Sequence, residues 1–151
     1  MSDDRMAEVF TAVGLGGVDP AAGRQALEKL WNELGERAEV LHRCVIAHHL
    51  AGLQEEAAAA LCWDQRALAA VFGPGVPLDE GLRGFLPSLY LNLADSHRRL
   101  GEFDMARMQL AIARGHLTVL AADAYGALIR TRLHGIEAAL AAGSTECLVF
   151  S

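Results

Sequence analysis

Aromatic side chains are scarce in this sequence, 6% of 151 residues. A core built from it must rely on Leu, Ala, Val and Ile, and the weight of Ala and Leu favours helices. Lysine is almost missing: Lys29 is the one lysine among 13 basic residues, which reads as coding bias before function. The three cysteines, Cys44, Cys62 and Cys147, are odd in number, widely spaced and without a CxxC pair. That argues against a disulfide framework or a zinc site and makes the reducing cytoplasm the expected location. No apolar run reaches the ~18 residues of a membrane span, and no basic-then-apolar leader opens the chain. The sequence has no GxSxG, no HExxH, and no Gly-rich phosphate loop opening a helix. Gly14-Leu15-Gly16-Gly17 follows a helical stretch and lacks the downstream Lys. No catalytic residue, cofactor site or metal site is therefore expected, and the chain reads as a non-enzyme.

Hydrophobic residues make up 52% and charged residues 21%, a globular balance. The length suits one domain. The formal net charge is −6, unevenly spread: residues 1–81 carry 6 basic and 13 acidic side chains, and residues 82–151 carry 7 and 6. An acidic total argues against nucleic acid as the partner, because phosphates need a basic surface.

Helical spacing of apolar residues predicts seven helices and no sheet. The first covers 3–13, with Met6, Val9, Phe10 and Val13 inward, and Gly14, Gly16, Gly17 and Pro20 are expected to break it. Asp19-Pro20 opens the second, since Asp caps and Pro fits a first turn. This helix buries Leu27, Leu30, Trp31 and Leu34 and stops at Gly35. The third, about 37–51, turns Leu41, Cys44, Val45 and His48 inward and ends at Gly52. The fourth, about 54–71, turns Ala57, Leu61, Leu68 and Val71 inward. Asp64 also falls on that stripe, where a carboxylate needs a partner. The Gly/Pro loop 73–81 cannot stay helical. The fifth helix, about 82–100, buries Leu86, Tyr90, Leu93, His97 and Leu100; the sixth, about 103–120, buries Phe103, Ala106, Leu110, Ala113 and Leu117. The seventh, about 123–142, buries Tyr125, Leu128, Ile129, Ile136 and Leu140 and ends at Gly143. The apolar tail Cys147-Leu148-Val149-Phe150 is expected to pack on the last helix or fray.

The stretch from Tyr90 carries a pattern: Tyr90-x2-Leu93-Ala94-x2-His97, then Leu100-Gly101-Glu102-Phe103-Asp104, then Ala106-x3-Leu110-x2-Ala113. It resembles the tetratricopeptide repeat, whose small residues let two helix backbones approach across a Leu-Gly-acidic-aromatic turn. A weaker copy reads Leu41-x2-Cys44-Val45-x2-His48, then Gly52, then Ala57-x3-Leu61, and a partial third starts at Tyr125. The resemblance implies an all-α chain of antiparallel helical hairpins stacked as a short right-handed superhelix. In that arrangement 1–36 is an N-terminal extension, 37–72 and 82–120 are hairpins, 121–143 is a capping helix and 144–151 a tail. Trp31-x2-Leu34-Gly35 matches the family's opening in isolation, but no turn follows at the required distance.

In such a family the first helices of successive hairpins line a concave groove. The resemblance places Glu39, His42, Ile46 and His49 there, with Ser88, Leu91, Asp95, Arg98 and Arg99 and then Asp123, Arg130 and His134. A polar lining with apolar spots suits a peptide or partner protein. The family's clamp for peptide carboxylates is not expected, because His42 and Ile46 stand where it needs Lys and Asn. His42 and His49 share a helix face but lie about two turns, ~10 Å, apart, too far for one ion. Arg98, Arg99, Arg107 and Arg114 read as charge balance with Glu102 and Asp104. The expected function is thus a protein-interaction module. A self-associating homodimer and a helical small-molecule sensor or enzyme stand as alternatives.

Overall fold

The structure, a computed structural model, describes residues 2–34, 39–73 and 75–148. These form seven α-helices: α1 (Ser2–Val18), α2 (Pro20–Leu34), α3 (Val40–Gly52), α4 (Ala57–Val71), α5 (Glu80–Arg99), α6 (Phe103–Gly115) and α7 (Ala124–Ala141). A 3-10 turn at Leu117–Val119 precedes α7. Among the described residues there is no strand. Gly35 and residues 36–38, Pro74 and the apolar tail beyond Leu148, all used in the sequence reading, lie outside the described residues. The chain divides into two compact units, Met1–Pro77 and Leu78–Ser151. The division falls inside the Gly/Pro loop, where few side chains can be buried.

In the first unit α1 and α2 form a hairpin whose turn is the single residue Asp19. Its carboxylate accepts from the Ala22 N–H at 3.1 Å, so Asp19 caps α2 and Pro20 begins it. The glycines at 14, 16 and 17 do not break α1, contrary to expectation; the helix runs to Val18. Glycine in a helix costs only about 1 kcal/mol against alanine. The close approach of the two backbones at Gly16 depends on Gly23 of α2, where a Cβ would lie 2.2 Å from the Gly16 Cα.

Helix α3 packs against α4 and against both helices of the N-terminal hairpin. It is therefore buried on most sides, including His42, Cys44, Val45, Ile46, Ala47, Leu50 and Ala51. Leu41, expected inward, is exposed. The α4 stripe is also rotated from the expected one by about a residue. Ala60, Asp64, Ala67 and Val71 are buried, while Ala57, Leu61 and Leu68 are only half-buried. Two alanines at the centre of the contact bring the helices close, and the leucines fill the flanks. Asp64 does point inward as its spacing indicates.

The second unit centres on Leu91, Ala94, Ala106, Leu110, Ala113, Ile129, Leu133, Ile136 and Leu140, contributed by α5, α6 and α7. Asp79 caps α5 by accepting from the Leu82 N–H at 2.9 Å, and Asp123 caps α7 by accepting from Gly126 N–H at 2.8 Å. Helix α5 ends in a left-handed glycine turn. Gly101 has φ +79°, its N–H donates to Arg98 O at 2.9 Å, and Glu102 N–H donates to His97 O at 2.9 Å. The His97 ring, buried, lies 3.0 Å from the Glu102 carboxylate through Nδ1 and ties the turn to the helix it ends. Helix α7 ends the same way at Gly143, with bonds from Gly143 to Leu140 O and from Ser144 to Ala139 O. Phe10, Leu100, Tyr125 and Leu128, expected in the core, are exposed. Each lies at the edge of its stripe, where a shift of a few tens of degrees decides burial.

Candidate binding surfaces

The groove proposed from sequence draws on helices of both units, and its members are placed here unit by unit. In the first unit His42 and Ile46 are buried, and His49 is half-buried beside the His48 ring at 5.3 Å. Burial holds the His49 pKa below the ordinary histidine value. In the second unit Leu91 lies in the core and Arg98 is completely buried. The expectation that His42, Ile46, Leu91 and Arg98 face a partner is thus corrected. Helices α3 and α5 are each flanked by helices on more than one side, so the face left for a groove is already packed.

Asp95 receives the Arg98 guanidinium at 2.7 Å, and Arg130 donates to the carbonyls of Leu120 and Ala121 ahead of α7. Both side chains are thus engaged within the second unit. Arg99 is half-buried and His134 is exposed. Of the wider set, Ser88 is buried on α5, Asp123 is the α7 cap, and exposed Glu39 lies 3.8 Å from His42 Nε2. Arg107 pairs with Asp104 at 3.0 Å as expected, whereas Arg114 pairs with Glu137.

Sequence reasoning missed a different surface, in the first unit. Trp31 on α2 and Trp63 on α4 meet edge to face, with ring centroids 5.3 Å apart. Each ring carries an arginine: the Arg43 guanidinium lies 4.3 Å from the Trp31 ring centre, and Arg66 lies 4.3 Å from that of Trp63. Glu28, Trp31, Asn32, Trp63 and Arg66 line an open cleft of about 390 Å³. Both indoles are half-buried, and Glu28, Asn32 and Arg66 are exposed. One sequence signal points to it. Trp31 follows the inward Leu30, and Trp63 precedes the inward Asp64, so each indole sits one residue off a buried stripe.

A larger groove of about 600 Å³ runs between α1 and α2. Its floor includes Ala12, Leu15, Ala26 and Leu30; Arg5, Glu8, Lys29 and Glu33 rim it. Arg5 pairs with Glu33 at 3.6 Å across the two helices. Among the described residues no three or more His, Cys, Asp or Glu side chains are placed to hold a metal ion, and no helix is long and apolar enough to cross a membrane. Cys44 is buried, which pushes its thiol up to about 12, whereas Cys62 and Cys147 are exposed. No family model, curated protein or solved structure matches this chain.

Proposed function

We propose that the chain is a non-catalytic protein-interaction module with tetratricopeptide-type hairpins, and that its first unit takes a peptide or a segment of a partner protein on the Trp31–Trp63 surface. One observation carries the reading: both tryptophans of the chain sit at one open cleft, each already stacked under an arginine. Trp and Arg dominate the binding energy of protein interfaces because a rigid, wide side chain gains contact area at little entropic cost. The stacked Arg66 is preorganised, which lowers the cost of ordering it on binding. An apolar anchor beside a carboxylate suits the cleft: the ring faces take the anchor and Arg66 takes the acid. The family reading draws support from the second unit, where Ala94 and Ala106 are both completely buried at the α5–α6 contact and Gly101 makes the left-handed turn. The reducing cytoplasm belongs to the same reading, with three cysteines left as thiols.

Peptides selected by display on the wild-type chain test the reading. The expected result is that Arg66→Glu weakens the selected peptides at least tenfold, with an unchanged circular dichroism spectrum. The same titration should change the intrinsic tryptophan fluorescence. Selected peptides that bind Arg66→Glu as well as wild type would remove the surface from consideration.

The α1–α2 groove favours a second reading, the homodimer. Its apolar floor has a rim of two acidic and two basic residues, which a second copy could meet with opposite charges. Phe10, Leu15 and Val18 are exposed on the same helix. Light scattering separates the two: a monomer up to ~100 µM would set the homodimer aside.

A further inference from the structure

We propose that the Trp31–Trp63 cleft selects a partner segment by its order of charges: a basic side chain at Glu28, an apolar one against the indoles and an acidic one at Arg66. The inference rests on that cleft being the binding surface, and it names the chemistry of the segment the cleft takes.

Two opposite charges line this cleft without meeting. Glu28 and Arg66 are both exposed at it, and neither makes an ion pair or a side-chain hydrogen bond with another described residue. Elsewhere in the unit such groups are spent: Arg5 pairs with Glu8 and Glu33, Lys29 with Glu33, and Arg24 donates to Leu53 O at 3.4 Å. Arg66 is laid on the Trp63 ring instead, 4.3 Å from its centre. Stacking uses the flat face of the guanidinium. Its N–H donors lie in its plane and stay open to a carboxylate, which they match two at a time.

The helix directions put these groups in order. Arg43, near the start of α3, meets Trp31 near the end of α2, and Arg24, near the start of α2, donates to Leu53 at the end of α3. α2 and α3 are therefore antiparallel. α4 returns against α3 after a short connection, so α2 and α4 point the same way, with their indoles in contact at one level. Glu28 stands three residues before Trp31 and Arg66 three residues after Trp63. The cleft thus runs from carboxylate through indoles to guanidinium over ~9 Å of helix axis, and the indoles keep the two charges from closing on each other. A segment that satisfies both ends carries the reverse order. Side chains at i, i+2 and i+4 of an extended segment share one face and step about 6.6 Å apart. Lysine, leucine and glutamate at those positions meet Glu28, the indoles and Arg66, the long outer side chains leaning in over the difference. A segment with the same charge at both ends leaves one end of the cleft against its own sign and is rejected there.

The test uses the full chain and three acetylated, amidated peptides too short to hold a helix: a mixed one, Gly-Lys-Ser-Leu-Ser-Glu-Gly, an acidic one, Gly-Glu-Ser-Leu-Ser-Glu-Gly, and a basic one, Gly-Lys-Ser-Leu-Ser-Lys-Gly. Intrinsic tryptophan fluorescence reads binding, because both tryptophans of the chain stand at the cleft and the peptides carry none. Wild type should bind the mixed peptide about tenfold more tightly than either of the others. Glu28→Lys should move the preference to the acidic peptide, and Arg66→Glu should move it to the basic one. If circular dichroism shows that a reversal disturbs the fold, Glu28→Gln or Arg66→Gln takes its place, and the expected result is loss of the preference for the mixed peptide. An unchanged preference in the Glu28 variant, or no fluorescence change with any of the three up to ~1 mM, overturns the proposal. Display-selected peptides that lose affinity for Arg66→Glu while the designed set shows no charge preference would overturn the role of Glu28 and leave the tryptophan surface standing. Selected peptides indifferent to Arg66→Glu would remove both.

Discussion

Replacing Gly23 by alanine should destabilise the first unit by about 1–3 kcal/mol, the range of an overpacked core, although alanine is the better helix former. Propensity alone argues the other way, by about 1 kcal/mol for a glycine in a helix interior. The contact decides. A Cβ at Gly23 would lie 2.2 Å from the Gly16 Cα and 2.5 Å from the Gly16 nitrogen. Both atoms are backbone, and no rotamer change can move them. α1 and α2 would have to part, loosening the packing around Val9, Ala12, Leu27 and Leu30. Gly16 supplies the contrast. A Cβ there meets Leu53 Cδ1 at 3.0 Å, the end of a flexible side chain, so Gly16→Ala should stay within about 1 kcal/mol of wild type. At Gly17 nothing lies within 4 Å, and Gly17→Ala should stabilise by about 0.5–1 kcal/mol. Urea denaturation of the three variants gives the order: Gly23→Ala lowest, Gly17→Ala highest. If Gly23→Ala unfolds at or above the wild-type midpoint, the close approach of α1 and α2 is wrong.

Those glycines show where sequence reasoning stops. A glycine in an apolar period has two readings, helix break and helix contact, and only the neighbouring backbone distinguishes them. The sequence pattern read three helix boundaries well because their signals are local, whereas α6, expected to reach about 120, ends at Gly115. Asp19-Pro20 opens α2, and Gly101 and Gly143 close α5 and α7 with the left-handed turns their neighbours suggest. The all-helical class followed from periodicity for the same reason. Gly52, by contrast, lies within α3 and has no positive φ, although it occupies the position of Gly101 in the weaker copy. A repeat pattern gives equivalent positions, not equivalent backbone angles.

The candidate groove was less legible because exposure is a property of neighbours. His42 and Ile46 stand on the face of α3 that a solenoid would leave open, but α3 has the N-terminal hairpin as well as α4 against it. Residues 1–36 fell outside the repeat pattern, so no spacing rule could announce that α1 and α2 cover it. Arg98 failed for a related reason. A charged residue off the apolar stripe reads as solvated, and the carbonyls that meet it come from Ser144 and Glu146, more than forty positions later in the chain. The tryptophan surface failed in the opposite direction. Trp31 reads as core on its own helix and as the opening of a false repeat, and Trp63 alone carries no signal, whereas their meaning lies in the 5.3 Å between them.

Tryptophan at position 106 should unfold the second unit. Ala94 and Ala106 are both completely buried, and around them Leu91, Leu110, Ala113 and Ile136 share one core. An interior packed at crystal density has no space for an indole in place of a methyl group. Small-to-large changes cost about 1–3 kcal/mol for a few added methylenes, and an indole asks for much more. Whole domains are stable by only about 5–15 kcal/mol. Met108→Trp is the control. That side chain is on the same helix and exposed, so the added indole meets water and the melting temperature should stay within a few degrees of wild type. Circular dichroism at 222 nm, which does not depend on the tryptophan count, reads both. Loss of helical signal for Ala106→Trp alone places the small residue at the α5–α6 crossing, where the tetratricopeptide reading needs it. A variant that melts like wild type would mean that α6 presents a different face to α5, and the hairpin register, with the family reading built on it, would fall.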